Sequence, residues 1–290
     1  LIEMRKKEFI YGLIFISPLL IGLVVFTAWP LIYGISLSFY ESRGMLPPRF
    51  VGFQNYIELF QRGLTATIFY NGFYYAILAV PIGLALGLGL ALLLNNNFKT
   101  SGLFRTMIYL PSVVPTVAMV MVFLLLFSPT GGIIDIITRA LGLGSPGWLG
   151  DPNLAKLTYV IWAQWGVGGS TLIFLGGLQN IPRSYYEAAM IDGAGSIRRF
   201  FSITLPLLTP TIFLNFLFAV IGGLQLFTQA FIAPGPANST TTPVVDIYQQ
   251  AFSYFKFGFA SAESIILFLL ILGISIIIWI TQKRWVIYEQ

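Results

Sequence analysis

No cysteine and no histidine occurs in the 290 residues. The first absence excludes disulfides, thiolate metal sites and thiol nucleophiles. The second removes the side chain most used to shuttle protons or hold a metal near neutral pH. Charge is scarce as well: Asp, Glu, Lys and Arg make up 9% of the chain, against about 25% in a soluble domain. No Gly-Lys pair is present, so a phosphate-cradling G-x-x-x-x-G-K-[ST] loop is excluded. The few carboxylates sit at the ends of apolar runs, and no nucleophile–base pair or metal cluster can be assembled from them. The chain is therefore expected not to be an enzyme. No basic stripe interleaved with aromatics accompanies the net charge of +5, which excludes nucleic acid as a partner.

What is there instead is apolar. Hydrophobic residues make up 57% of the chain, and the mean hydropathy is +0.83. Six stretches carry no charge: 9–40, 63–98, 106–134, 157–182, 200–245 and 264–282. Each can hold a spanning helix, which needs about 20 apolar residues. The fifth stretch closes on turn chemistry, Ala233 to Pro243, which reads as a loop. The pattern predicts an all-α integral membrane protein. Its six transmembrane helices lie near 9–36, 67–95, 104–127, 156–179, 206–230 and 263–282, and the whole of 1–290 forms a single domain. Arg5, Lys6 and Lys7 before the first run resemble a signal-peptide start. That run is too long and lacks a small-x-small cleavage site, so an uncleaved first helix is expected.

Lys and Arg in the short loops set the orientation. Arg43, Arg49, Arg62, Arg139, Lys156 and Lys256 fall on one side, and the other ten of the sixteen fall on the side of the N-terminus. Both termini and the loop over 180–205 are thus expected in the cytoplasm. Pro18 and Pro30 interrupt the first helix, and Pro111 with Pro115 should kink the third. Gly83 and Gly87 permit close helix contact. Asn95, Asn96 and Asn97 with Lys99 form an inner turn. Outside, Pro47-Pro48 makes a turn, residues 55–59 a short interfacial helix, and Trp148 an interfacial anchor.

The 180–205 loop is polar between two apolar runs. Pro182 ends the fourth span. Ser184 is expected to cap a short helix with Glu187 in its first turn. Ala188 and Ala189 are small helix formers, and Asp192-Gly193 is a turn dipeptide. A second short helix over roughly 196–203 carries Arg198 and Arg199, and Pro206 falls near the first turn of helix five. The loop reads as a helix–turn–helix beneath the membrane; the blander alternative is an ordinary amphipathic connector.

The spacing E-A-A-x-x-x-G-x9-I-x-L-P is filled by Glu187, Ala188, Ala189, Gly193, Ile203, Leu205 and Pro206. It resembles the cytoplasmic coupling loop of permease subunits in ATP-binding-cassette (ABC) importers. Phe50, Gly52, Asn55 and Tyr56 resemble the family's F-x-G-x-x-N-Y segment. Residues 207–252 resemble its sugar-importing, maltose-type branch, through Ala233–Pro236, Asn238, Thr240, Thr241, Tyr248 and Ala251-Phe252. Pro234 stands where that signature begins with Gly. The resemblance implies a multi-pass protein of the bacterial cytoplasmic (inner) membrane that translocates a carbohydrate by alternating access. It implies a coupling role for Glu187, Ala188, Ala189, Asp192, Gly193, Ile203, Leu205 and Pro206. It also implies partners: a second permease in a heterodimer, two ATPase subunits that hold ATP and Mg, and an extracytoplasmic sugar-binding protein. No cofactor or metal is expected on this chain.

For the substrate path, amides in hydrocarbon must look onto protein or water. On an ideal fifth helix Asn215, Phe218, Gly222, Gln225 and Gln229 share a face about 80° wide. On the fourth, Gln164, Gly168 and Thr171 share another, with Trp165 and Phe227 nearby. Such faces suit a neutral polyhydroxy ligand, and equally could glue helices together. An ion-coupled secondary transporter of a neutral solute is the alternative function. It usually needs carboxylates or histidines near the midplane, and the charge-free spans argue against it.

Overall fold

The computed structural model describes residues 2–44, 47–95, 101–128 and 131–287, with side chains from Tyr11 onward. The inner turn at Asn96, Asn97 and Lys99, and the side chains of Arg5, Lys6 and Lys7, lie outside the described residues. The chain divides into two compact units, Leu1–Arg62 with Ile247–Phe268, and Gly63–Asp246 with Leu269–Gln290.

The first unit opens with one long helical run: α1 (Ile2–Leu23), a π-helical turn (Val24–Ala28) and α2 (Trp29–Leu37). Its apolar window over Tyr11–Leu37 buries none of its residues within the chain. A two-residue ribbon follows, β1 (Tyr40–Glu41) antiparallel to β2 (Arg49–Phe50), pairing Tyr40 with Phe50 and Glu41 with Arg49. Then comes α3 (Gln54–Gln61). The F-x-G-x-x-N-Y segment is a buckle. Asn55 Nδ2 donates to the carbonyls of Ser38 (2.8 Å) and Tyr40 (3.0 Å). The Tyr56 hydroxyl bonds Ser38 Oγ at 2.7 Å. Phe53 meets Phe39 edge-on, with ring centroids 5.3 Å apart. Carbonyls just past the end of α2 are thereby satisfied.

The second unit is built around α4 (Gly63–Leu94). α5 (Ser101–Val113), α8 (Pro152–Ala163) and α9 (Gly168–Gln179) pack against it, and α6 (Thr116–Leu126) and α7 (Ile133–Ala140) come between α5 and α8 in the chain. Next come α10 (Arg183–Ile191) and α11 (Ser196–Arg199), a π-helical turn (Phe200–Thr204), α12 (Leu205–Leu207), α13 (Thr209–Leu224) and α14 (Thr228–Ile232). The short α15 (Pro243–Tyr248), a π-helical turn (Gln249–Ser253) and α16 (Phe257–Thr281) complete the chain. Asp151 starts α8 by accepting from the amides of Asn153 and Leu154, with Pro152 in the first turn where its missing donor is harmless. One core cluster joins Val120, Phe123, Phe127, Tyr159 and Trp162 to Leu226 and Ala230; a second joins Ala91, Leu94, Phe174, Leu178 and Leu208. Gly87 lets α4 meet α9 closely: a Cβ there would fall 2.6 Å from Ser170 Oγ and 3.5 Å from the Phe174 ring.

Among the described residues, four helical runs are long and apolar enough to cross a membrane: Tyr11–Leu37, Gly63–Leu94, Thr209–Ile232 and Phe257–Arg284. Three expected spans differ in form. The one near 104–127 is two helices, α5 and α6, bent by 94°. The break falls at Val114 and Pro115, because proline lacks the amide and disfavours helix in the residue before it. The one near 156–179 is α8 and α9, separated by a 3-10 turn at Gln164–Gly166. There the Gln164 side chain takes the Val160 carbonyl at 2.8 Å, in competition with the helix ladder. The one near 206–230 stops at Leu224 and resumes at Thr228. The last helix begins at Phe257, earlier than the expected 263.

A substitution series tests the packing of the first unit. A Cβ on Gly258 would overlap the Tyr40 carbonyl oxygen and lie 3.1 Å from Asn55 Nδ2, both fixed by the buckle, whereas a Cβ on Gly273 meets open space. Gly258→Ala is expected to destabilise by about 3 kcal/mol. Gly273→Ala is expected to stabilise by up to about 1 kcal/mol. Thermal unfolding in detergent measures both.

Candidate functional site

The polar loop forms a knuckle. α10 ends at Ile191 and closes with three backbone bonds: Asp192 N to Ala188 O, Gly193 N to Met190 O, and Ala194 N to Ala189 O. This is a Schellman closure, and it demands a left-handed residue after the cap. Gly193 supplies it with φ +74°. Two details differ from expectation. Pro182, not Ser184, holds the N-cap position, with no side-chain cap. Glu187 is therefore the fifth residue of α10, beyond its first turn, because the helix begins at Arg183 directly after the proline.

From α11 the chain continues helically through the π turn into α12, where Pro206 occupies the first turn. The Tyr186 hydroxyl bonds Thr204 Oγ1 at 2.9 Å, tying α10 to the π turn. Ile203 packs on the cluster of Leu178, Ile181 and Leu208. Ala189, Asp192, Ala194, Arg198, Arg199, Ser202 and Ile203 line a hollow of about 230 Å³ between the two arms. Glu187 and Ala188 are exposed, and so are Ile191 (87%), Ile197 (77%) and Phe201 (61%). An apolar tip so uncovered marks an interaction surface.

A second feature is a cavity of about 350 Å³ in the same unit, bounded by α4, the turn after α8, α9 and α13. Its lining includes Tyr75, Gly83, Gln164, Ser170, Asn215, Phe218 and Gly222, and, among the described residues, no Asp, Glu, Lys or Arg. Asn215 donates to the Thr211 carbonyl at 3.1 Å. Gln164 Nε2 donates to Val160 O (2.8 Å) and, more weakly, to Ala79 O (3.4 Å). Gln164 Oε1 is buried and has no hydrogen-bond partner. A buried carbonyl left unsatisfied costs about 1–3 kcal/mol.

The structure thus brings Gln164, Asn215, Phe218 and Gly222 together. Thr171 is fully buried and bonds back to the Val167 carbonyl at 2.9 Å. Trp165 meets Phe123 edge-on at 5.5 Å and does not line the cavity. Phe227 packs against the Trp162 cluster. Gln225 and Gln229 are not among the lining residues: α13 ends at Leu224, before both, and Phe227 at φ −125° and ψ −64° resets the angular phase ahead of Gln229. Tyr75 and Ser170 line the cavity without having been singled out by sequence. The signal for Tyr75 is its spacing to Ala79 and Gly83, one face of α4 read only as packing.

The signature over 233–242 has a structural job. Asn71 Nδ2 donates to the carbonyls of Asn238 (2.9 Å) and Thr241 (3.0 Å). Thr242 Oγ1 donates to Leu226 O at 2.6 Å, and the Tyr159 hydroxyl to Ala233 O. Thr240 Oγ1 accepts from Gly235 N at 2.6 Å.

The knuckle's dependence on one glycine is testable. A Cβ on Gly193 meets open space, so only its φ resists substitution. Gly193→Ala should cost about 1–2 kcal/mol, seen as faster amide exchange at Gly193 and Ala194. Gly195→Ala, at φ −67° with open space around it, should leave those amides unchanged.

Comparison with known proteins agrees with this architecture. The chain is 36% identical to the probable ABC transporter permease protein YesP of Bacillus subtilis, over 98% of this chain and 94% of that protein. It is 37% identical to the lactose transport system permease protein LacF of Rhizobium radiobacter, over 94% of each. A crystal structure of a bacterial alginate ABC transporter, in complex with an alginate pentasaccharide-bound periplasmic protein, contains a chain with the same fold. The TM-score is 0.84 at 22% identity, covering 97% of this chain and 96% of that one. The profile of the family described as binding-protein-dependent transport system inner membrane component matches residues 79–286. Taken with the helical unit around α4 and the closed knuckle beyond α9, that match identifies this chain as a member of the family of binding-protein-dependent transport system inner membrane components.

Proposed function

We propose that this permease subunit carries a neutral carbohydrate inward by alternating access, driven by a separate ATPase that grips the knuckle at Glu187–Gly193. The observation that carries the reading is the knuckle itself: a tightly closed polar turn that leaves Ile191 87% exposed and the small Ala188 exposed beside it. A surface of that kind gains by being covered. In this reading the chain is one transmembrane domain with six spans, α5–α6 and α8–α9 each counting as one. Both termini and the 180–205 loop face the cytoplasm of a bacterial cell. ATP and Mg bind the two ATPase subunits. A second permease completes the pore, consistent with the uncovered apolar face of α1, and a sugar-binding protein delivers substrate from outside.

The cavity supplies the substrate chemistry. Its size falls in the usual range for small-molecule pockets, about 300–1,000 Å³. Amides of Gln164 and Asn215, hydroxyls of Tyr75 and Ser170, and the exposed ring of Phe218 offer hydrogen bonds and an apolar platform without an ion pair. Gln164 Oε1 is an acceptor waiting for a donor, and a sugar hydroxyl is one. A phosphorylated substrate would find no cation in the lining. Ion coupling would call for charged or titrating groups there, and the lining favours the ATP-driven reading.

Uptake by the full importer reconstituted in liposomes tests this. Gly193→Asp is expected to preserve assembly of the permease pair while abolishing ATP-driven uptake. Gln164→Leu is expected to raise the KM for transport by up to about tenfold, the loss of one hydrogen bond. Transport that persists without ATP and collapses with an ion gradient would overturn the proposal.

A further inference from the structure

Between α6 and α8 lies a short helix whose polarity is inside out. α7 sets Ile133, Ile136, Ile137 and Ala140 on one stripe, at the spacing of a single helix face. Ile133 is 56% exposed, Ile136 58% and Ile137 48%, and Leu141 and Leu143 in the turn that follows are 69% and 68% exposed. The opposite face is buried, with Asp135 at 2% and Thr138 at 7%, and the half-buried Ile134 at its side packs on the Trp162 cluster. Asp135 accepts from Arg139 Nε at 3.0 Å and from the Ser145 hydroxyl. Leu143 N donates to Thr138 O at 2.9 Å, folding the following turn onto the same polar core. A helix in water hides its isoleucines and shows its aspartate; this one does the reverse.

We propose that α7 is an in-plane anchor, lying in the headgroup–acyl boundary of the bilayer with its isoleucine stripe in the acyl chains of a phospholipid surface. The proposal rests on the spanning reading of α6 and α8. Depth is fixed by the chain. A Cβ on Gly132 would fall 2.6 Å from the carbonyl oxygens of Leu126 and Ser128, so the start of α7 is folded directly onto the last turn of α6. α7 therefore starts at the depth where α6 ends. Phe127, which closes α6, meets Trp148 edge-on at 5.6 Å, and tryptophan is enriched at that boundary.

The stripe's composition selects lipid over protein. It offers only aliphatic side chains and one alanine, with no aromatic, Met or Arg anchor of the kind that centres protein interfaces. It also lacks the small-residue groove that membrane helices use to pack. Arg139 stands at its margin, 59% exposed while paired to Asp135. From there it can hold lipid phosphate while its stem lies on the apolar side.

The absence of cysteine makes the test direct, because one introduced thiol takes a spin label uniquely. Ile133→Cys, Ile136→Cys, Ile137→Cys and Ile77→Cys would each be labelled in the assembled importer, in nanodiscs of phosphatidylethanolamine and phosphatidylglycerol. Ile77 lies midway along α4 and is 65% exposed. Collision with oxygen and with a water-soluble nickel chelate is then read by electron spin resonance. The expected result is a severalfold preference for oxygen over the chelate at all three α7 positions, relative to free label in buffer. Labels reached freely by the chelate would place α7 in water and overturn the proposal. Labels reached by neither reagent would mean that a protein partner covers the stripe, which overturns it equally. If the Ile77 label is itself open to the chelate, the spanning reading fails and the anchor fails with it. An oxygen-accessible Ile77 beside an aqueous α7 removes the anchor alone.

Discussion

A peptide group inside hydrocarbon has no water to turn to, so every interruption of a helix must be repaired by the protein itself. That constraint organises the second unit. Its helices are interrupted at Val114–Pro115, at Gln164–Gly166 and between Leu224 and Thr228. Freed carbonyls meet side-chain donors: Val160 O meets the Gln164 amide, Leu226 O the Thr242 hydroxyl, and Ala233 O the Tyr159 hydroxyl. Asn71 does the same for the loop at 238–241. The last two interruptions lie beside the cavity, which Gln164, Gly166 and Gly222 line. Irregular backbone is tolerated at such depth where it faces a polar space rather than lipid. Among the described residues Gln164 Oε1 and Asn71 Oδ1 are left over from this repair, and Gln164 lines the cavity.

Much of this was legible in the sequence, and the reasons differ by region. Charge-free stretches gave the helical segments, because burying a charge in lipid is costly whatever the fold. The knuckle was legible because its parts are local: a proline that ends a span, small helix formers, and a glycine that must turn left-handed. Its first turn was misread because a serine two residues after a proline looks like a cap, while the proline itself already starts the helix. The cavity was only half legible. Asn215, Phe218 and Gly222 share a face of an unbroken α13, and periodicity finds them. Extending that helix past Leu224 puts Gln225 and Gln229 on the same face, and the only local sign of the break is the Gly222-Gly223 pair just before it. The break is stabilised from afar, by Thr242 and Tyr159, and pattern reading along one segment does not see partners 16 and 74 residues away. Tyr75 was passed over because its helix reads as continuous packing surface.

The two candidate sites differ in chemistry in a way that fits a division of labour. The cavity is uncharged and walled by amides, hydroxyls and one exposed ring. The knuckle carries Glu187, Asp192, Arg198 and Arg199 around an apolar tip. A solute that must leave again is best held by several modest hydrogen bonds. A protein partner is better held by an apolar contact with charges at its rim. Both sites lie on one stretch of chain, since α12 runs from the knuckle almost directly into α13.

That stretch contains one surplus residue. The turn at Phe200–Thr204 is wound more loosely than an α-helix, as happens when a single amino acid has been accommodated without breaking the rod. Deleting one residue there would restore regular winding and leave the upstream segment in phase, because the loosened turn takes up the extra residue within itself. The orientation of the knuckle relative to the helix that lines the cavity is therefore held by the winding of one turn. A residue added to regular winding at the same place, with no loosened turn to absorb it, would instead swing the knuckle by about 100° about the axis.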